Sequence, residues 1–353
     1  MKKRLLEFII CPACKSKLTL KVFKENQGEI EAGMLLCSCG QFYPIIKSIP
    51  RIFIGDLRTV IYERFPDFLK EYKNFFPQEK INKEIEGEDL KKKRTSESFG
   101  YEWEKFPEMI KEWEKNFKLY FAPLPKLDLL KGKIILDAGC GKGRHTFYAA
   151  KIADEVIAID LGTAIDVALF NNRNTKNVYF IQADIYNLPF RANSFDFVFS
   201  LGVLHHLPTP EEGFSKLVGL LKDGAGILIY VYHSFSKGTF NFYLLSLMNI
   251  LRRITTKIPH KLLYALCYPV AILSYCVFVF PCKVFLKKDK SDWPLTAYAN
   301  YPFRVLLNDT FDGFSAPIEN RYSKEEITAW YQRANLKDIK VLGSGGWHIF
   351  GIK

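Results

Sequence analysis

The sequence predicts a doubly wound α/β fold, and three observations carry that prediction. An apolar run of strand length, Ile134-Ile135-Leu136, stops at the acidic Asp137 and meets glycines at alternate positions, Gly139, Gly141 and Gly143. These lead into Arg144-His145-Thr146-Phe147-Tyr148-Ala149-Ala150, which can start a helix. Two further β-rich runs end in acids at Asp160 and Asp184, and two more, around Phe195-Leu201 and Gly226-Tyr230, follow in order. Apolar strands alternating with helical stretches form open sheets covered on both faces.

The glycine turn sets the chemistry. Glycine is needed where the backbone adopts φ values a side chain resists and where a ligand comes close to the main chain. A dinucleotide-binding turn, G-x-G-x-x-G, would need glycine at position 144, where this chain has Arg144, so that reading fails on spacing. A carboxylate at the tip of the second strand, Asp160, can accept both hydroxyls of an adenosine ribose.

The D-x-G-x-G-x-G turn and the acid-tipped strands together resemble the class I S-adenosylmethionine-dependent methyltransferases, with a type 11-like core. The resemblance spans about residues 99–233. It implies a Rossmann-like, seven-stranded methyltransferase sheet with S-adenosyl-L-methionine as cofactor. The cofactor-binding residues it implies are Asp137, Gly139, Gly141, Gly143, Asp160, Leu161, Asp184, Ile185 and Ser200. In the family, the acid of a segment like Gln182-Ala183-Asp184-Ile185 faces the adenine amino group, and the next apolar residue packs on the ring.

The chain has 353 residues, of which 48% are hydrophobic, enough for about two domains with a sizeable core. The expected division is a ribbon-like module at 1–54, a helical linker and cofactor-covering segment at 55–130, and a core at 131–353 with an insertion at 234–300. Met1-Lys2-Lys3-Arg4 and the apolar residues after it are too short a run for a signal peptide, carry Glu7 and lack a small-residue cleavage site. Together with eight cysteines in no disulfide pattern, this places the protein in the cytoplasm.

Cys11-Pro12-Ala13-Cys14 and Cys37-Ser38-Cys39 form two thiolate pairs either side of a hairpin-like stretch. Four thiolates can enclose a structural zinc, and so small a segment needs a staple, with a metal-free reduced ribbon as the alternative. The second pair is C-x-C rather than the usual C-x-x-C. With Tyr43-Pro44-Ile45-Ile46, the module resembles the zinc-ribbon activator subunit of tRNA and release-factor methyltransferases.

The following residues are charged and aromatic at helical spacing and end in Lys91-Lys92-Lys93-Arg94, read as a solvated hinge or a phosphate contact. In Ser98-Phe99-Gly100-Tyr101-Glu102-Trp103, the aromatic faces of Tyr101 and Trp103 either lie against a sulfonium or pack in the core. From Ser234 to Lys290 there are nine basic residues, including Lys283, Lys287, Lys288 and Lys290, against Asp289 alone. That segment carries most of the chain's net charge of +12. Between these cations lie apolar runs, the second from Leu262 to Cys282. A basic, apolar helical insertion after the fifth strand is expected to lie on an anionic membrane face at the inner surface of the membrane, to cap the substrate pocket, or to form a spanning hairpin. Ser323 with Glu326 marks a capping box opening a helix to about Arg333, and two strands complete the sheet.

The expected function is methyl transfer to a small-molecule, lipid-linked or glycan acceptor. A transfer RNA or ribosomal RNA acceptor is the alternative, and a non-catalytic cofactor-binding scaffold is a further one. Nucleic acid ranks lower because the positive charge sits beside apolar runs rather than among exposed stacking aromatics. Candidate proton acceptors are His205, Asp309 and Glu102, with His206 and His233 beside them; for each histidine packing is the competing role. Asn308-Asp309-Thr310-Phe311-Asp312 reads as an acceptor-binding cluster or a capped loop.

Overall fold

A computed structural model describes residues 1–76, 85–284 and 295–353. Among these residues a single sheet runs through the molecule. Its strands are β1 (Thr19–Asn26), β2 (Glu29–Leu36), β3 (Phe42–Ile46), β4 (Ile49–Ile52), β5 (Ile134–Ala138), β6 (Glu155–Asp160), β7 (Val178–Ala183), β8 (Phe195–Leu201), β9 (Leu221–Val231), β10 (Lys337–Gly343) and β11 (Trp347–Ile352). The order across the sheet is β1-β2-β3-β4-β7-β6-β5-β8-β9-β11-β10. Strands β7 to β9 are parallel, and β11 and β10 close the far edge antiparallel. The expected count of seven describes only the strands from β5 onward. The ribbon's four extend the same sheet, because β4 pairs in parallel with β7.

Both faces of the central strands are covered, which is why they read as unbroken apolar runs. Successive side chains point to opposite faces. Leu136, Ile157, Ile181 and Val198 therefore enter one core, and Ile135, Val156, Phe180 and Phe199 the other. The Lys324–Arg333 helix opens on the expected capping box. Ser323 N donates to Glu326 Oε2 at 2.7 Å, and Glu326 N donates to Ser323 Oγ at 3.2 Å.

Two sequence expectations change here. The basic run is no hinge: it lies inside the Gly87–Lys105 helix together with Tyr101, Glu102 and Trp103, and Lys92 is buried. Asn308 to Asp312 sit in the Phe303–Ser315 helix rather than in a loop.

The insertion forms the Phe240–Thr255 helix and a second that starts as His260–Ser274 and continues to Val284. The second helix is long and apolar enough to cross a membrane by length and composition. One stripe of it, Leu263, Cys267 and Ala271, packs on Phe106, Leu307 and Phe311. Leu262, Leu266, Ile272, Leu273 and Phe280 face outward. Lys287, Lys288, Asp289 and Lys290 lie outside the described residues.

A buried ion triad fastens the first of these helices. Arg252 Nη2 donates to Glu319 Oε2 at 2.6 Å and Arg252 Nε to the carbonyl of Gly313 at 2.7 Å, while Arg321 Nε holds Glu319 Oε1 at 2.9 Å. Removing one partner of a buried pair leaves the other charge desolvated, at a cost of about 3 kcal/mol. Arg252→Met should lower the urea midpoint accordingly. An unchanged midpoint would mean that apolar contacts alone seat the insertion.

Candidate cofactor and acceptor site

The carboxyl ends of β5 to β9 open into a chamber of about 800 Å³, roofed by the Phe240–Thr255 helix through Asn241, Leu244, Leu245, Met248 and Arg252. One end is the glycine turn. Gly139 has φ +86°, and a Cβ there would come 2.3 Å from the Val203 side chain; at Gly141, φ is +53° and a Cβ would come 3.1 Å from the Trp103 indole nitrogen. Both positions therefore need glycine.

Asp160 holds this turn to the next one. Its Oδ2 accepts the Gly141 N–H at 2.8 Å and its Oδ1 the Gly162 N–H at 2.7 Å. Burial still pushes its carboxyl above the usual range, against those two hydrogen bonds. Each oxygen keeps acceptor capacity toward the chamber, so the donor set fits an adenosine ribose. Leu161, Asp184 and Ile185 line the same wall. Asp184 is more occupied than its sequence suggested. Its Oδ2 accepts from Lys92 Nζ at 3.0 Å and Asn187 Nδ2 at 3.3 Å, and its Oδ1 from Tyr186 N at 3.1 Å.

Other expected cofactor residues act behind the wall. Asp137, lining the chamber, accepts the Thr146 hydroxyl at 2.5 Å and so ties β5 to the following helix; burial pushes its carboxyl to about 7. Gly143 caps that helix at φ +77°, packed against Ala168 and Asn172. Ser200 is fully buried and donates to the carbonyl of Ala138 at 2.8 Å, joining β8 to β5. Trp103 reaches the chamber, whereas Tyr101 packs against His260, Tyr264 and Phe311 under the insertion.

The far end of the chamber is acidic and aromatic. Glu102, Asp309 and Asp312 converge there with Tyr120, Tyr230, Tyr232 and Tyr298. Tyr298 OH donates to Asp309 Oδ2 at 2.6 Å, Asn308 Nδ2 to Asp309 Oδ1 at 3.1 Å, and Tyr232 OH to Asp312 Oδ2 at 3.3 Å. Among the described residues, Glu102 Oε2, Asn308 Oδ1 and Asp312 Oδ1 have no hydrogen-bond partner. Burial and mutual repulsion push Glu102 well above the carboxylate range and Asp312 to about 7. Nearby Lys142 donates to the carbonyls of Phe106 and Glu108 at 2.8 and 3.2 Å, and burial pulls it down to about 7.

The histidines sort differently. His205 is fully buried, its two ring nitrogens find no partner among the described residues, and its ring lies 4.0 Å from the Tyr232 ring centroid, with burial holding it well below its ordinary value. That placement is packing. His206 borders the chamber, is pulled down to about 4 by burial, and bonds the Ile318 carbonyl at 2.6 Å. His233, half-buried, meets Phe235 edge-on. The sequence marks Asp312 only as one member of the 308–312 cluster, with Asp309 as the candidate proton acceptor, because nothing in its neighbours sets it apart from Asp309.

In the ribbon, the sulfur atoms of Cys11, Cys14, Cys37 and Cys39 all lie within 4.8 Å of one another. Tetrahedral zinc–thiolate bonds of about 2.3 Å would space the sulfurs by roughly 3.8 Å. The present separations of 3.3 Å for Cys14–Cys37 and 3.8 Å for Cys11–Cys39 need little adjustment for that geometry.

Residues 136–229 match the model of the methyltransferase domain family. They are an S-adenosylmethionine-dependent methyltransferase domain. Residues 2–48 match the Trm112p-like protein family, so a methyltransferase domain and a Trm112-like module share one chain. A tRNA U34 carboxymethyltransferase of Proteus mirabilis (strain HI4320) is 33% identical over 124 residues, 33% of this chain and 37% of the relative. Its counterpart from Psychromonas ingrahamii (strain DSM 17664 / CCUG 51855 / 37) is 28% identical over 184 residues, 48% of this chain and 55% of the relative. The chain thus spans about a third to a half of the length of these curated relatives. A solved methyltransferase from Aquifex aeolicus, described as SAM dependent, covers 71% of this chain and 96% of its own at 15% identity and a TM-score of 0.40.

The relatives' names overturn the expectation of a small-molecule, lipid-linked or glycan acceptor with nucleic acid ranked below it. The anionic membrane surface expected as a partner gains nothing from them. Asp160→Ala should weaken S-adenosylmethionine binding at least about tenfold with the fold intact, at about 1.5–3 kcal/mol per charge-assisted hydrogen bond lost. Gly141→Val should do the same by displacing Trp103. Calorimetry showing wild-type affinity in either would remove the ribose assignment.

The buried acids also set a pH dependence. Asp137 and Asp312 titrate near 7 in the fold but near 3.8 as free side chains, so the unfolded chain loses their protons first. Stability that these groups contribute in acid is lost as pH rises from about 4 through about 7. The melting temperature should fall across that window, and Asp137→Asn should flatten the fall. A melting temperature rising from pH 5 to 8, with no change in the variant, would contradict the burial of these carboxyls.

Proposed function

We propose that the chain transfers a methyl group from S-adenosylmethionine to transfer RNA. The observation that carries this reading is that relatives matched over 124 and 184 residues are named as tRNA U34 carboxymethyltransferases. A basic chain, at net +12, suits a polyanionic acceptor. The cytoplasm suits its eight free cysteines.

Bound S-adenosylmethionine would supply a methyl on a sulfonium, a good leaving group. The protein's own share is placement and proton handling. The glycine turn and Asp160 seat the adenosine end, with Ile185 and Leu161 beside it. Trp103 closes over Gly141, and the insertion's roof excludes water. Asp312 receives the acceptor's proton on Oδ1, the oxygen without a partner, while Tyr232 steadies Oδ2. A carboxylate near 7 is a stronger base than a solvated one, yet about half of it is still ionised at neutral pH. Asp309, held by Tyr298, and the protonated Glu102 orient the acceptor beside it.

Labelled methyl from S-adenosylmethionine should enter bulk tRNA, ribonuclease should release the label, and mass spectrometry should distinguish a methyl from a carboxymethyl product. Label entering lipid or glycan fractions, with none in RNA, would reject the acceptor. Asp312→Asn should lower kcat about 100-fold without changing cofactor affinity, and the wild-type rate should rise with pH through about 7. An Asp312→Asn enzyme with the wild-type rate and pH profile would remove that role.

For the ribbon we infer one structural zinc on Cys11, Cys14, Cys37 and Cys39, supported by the closeness of the four sulfurs. Metal analysis of protein purified without chelator should find about one zinc per chain. A thiol-rich, metal-free ribbon with unchanged stability would overturn it.

A further inference from the structure

The seam between ribbon and core carries a buried arginine with no part in the site described so far. In β4, Arg51 pairs with Gln182 of β7 and its side chain is fully buried. A guanidinium taken out of water persists only when well paired. Arg51 Nη2 donates to Asp166 Oδ1 at 2.6 Å and to the Ile46 carbonyl at 3.3 Å. Its Nη1 donates to Asp166 Oδ2 at 3.2 Å and to Gln182 Oε1 at 2.9 Å.

The last contact fixes an orientation. Arginine has donors and no acceptor, so only the oxygen of the Gln182 amide can face it. The amide nitrogen must then point the other way, where it donates to the carbonyls of Leu161 at 2.9 Å and Gly162 at 3.2 Å. Gly162 N in turn donates to Asp160 Oδ1 at 2.7 Å. From ribbon to ribose acid the path has three links, each with the donor direction settled by chemistry. The loop has little freedom on its other side, because a Cβ at Gly162 would come 2.8 Å from the Ser96 carbonyl.

We propose that Arg51 is a positioning residue for the cofactor: through the Gln182 amide it holds the Leu161–Gly162 loop in the shape that presents Asp160 to the ribose. The inference rests on the cofactor reading above. Without Arg51 the Gln182 oxygen loses the donor that anchors it, the amide is free to rotate away from the two carbonyls, and the loop that presents the Gly162 N–H to Asp160 loses its tether. The ribbon thereby becomes part of the cofactor site without touching the cofactor.

Calorimetric titration of the full chain with S-adenosylhomocysteine tests this, alongside 5′-methylthioadenosine, which keeps the ribose and lacks the amino-acid end. Arg51→Met and Gln182→Met should each weaken both ligands about tenfold, and the double variant should be no worse than either, because both break one path. Gln182→Glu guards against misfolding, since it keeps a partner for Arg51 yet offers the loop carbonyls no donor. It should lose the same factor at an unchanged urea midpoint. In turnover, KM for S-adenosylmethionine should rise while kcat at saturation holds. Losses that multiply in the double variant, or Gln182→Glu binding like wild type, would overturn the relay. A wild type that binds neither ligand would overturn the cofactor reading itself.

Discussion

The Asp160 carboxylate is the joint on which the rest of the site depends. It sits where β6 ends and accepts one backbone N–H from the turn after β5 and one from the turn after β6. Two loops that share no covalent connection nearby are thus held at one distance. The Gly139 to Gly143 backbone can curl only because glycine supplies positive φ, and it stays curled because Asp160 receives Gly141. Behind this joint, Asp137 and Thr146 secure the following helix, and Ser200 secures the neighbouring strand. In front of it, Trp103 covers the turn from a helix more than thirty residues earlier.

Around that joint the protein builds a chamber whose two ends differ in chemistry. The cofactor end is made of backbone and strand-tip acids. The other end is made of side chains from elements far apart in sequence: Glu102 from the Gly87–Lys105 helix, Tyr120 from the Glu112–Tyr120 helix, Tyr230 and Tyr232 at the end of β9 and just past it, Tyr298 from the Thr296–Asn300 turn, and Asp309 and Asp312 from the Phe303–Ser315 helix. Burying three acids together disfavours their charged forms, and Glu102 and Asp312 hold their protons above the usual carboxylate range as a consequence. The Arg252–Glu319–Arg321 triad fixes the roof over them. The roof's second helix keeps an apolar outer face, with Leu273 at 65% and Phe280 at 49% exposure.

Much of the cofactor end was legible in the sequence because it is local. A strand, an acid and three spaced glycines fall within ten residues, and the capping box at Ser323 needs only four. The acceptor end was less legible, because Asp312 is identified by what surrounds it in space and not by its neighbours in the chain. The same limit hid Lys92. Read along the chain it belongs to a charged run, yet folding carries it to Asp184, where it is 8% exposed. Arg51 lies just past the 43–46 stretch of the ribbon, and its partners Asp166 and Gln182 lie more than a hundred positions away. For His205 the sequence left two roles open, proton acceptor and packing, and only its burial in space bears on the choice. The acceptor class was misjudged from charge placement in the insertion, a property of the surface rather than of the chamber.

Hydrogen exchange with and without S-adenosylhomocysteine tests the central claim most directly, because the amides of Gly141 and Gly162 are the two that Asp160 holds. A ligand seated on this joint should slow exchange in residues 139–143, 160–162 and 184–186 together, with the ribbon strand β4 following. Protection confined to another part of the chain, or no change in these segments at saturating ligand, would contradict the account.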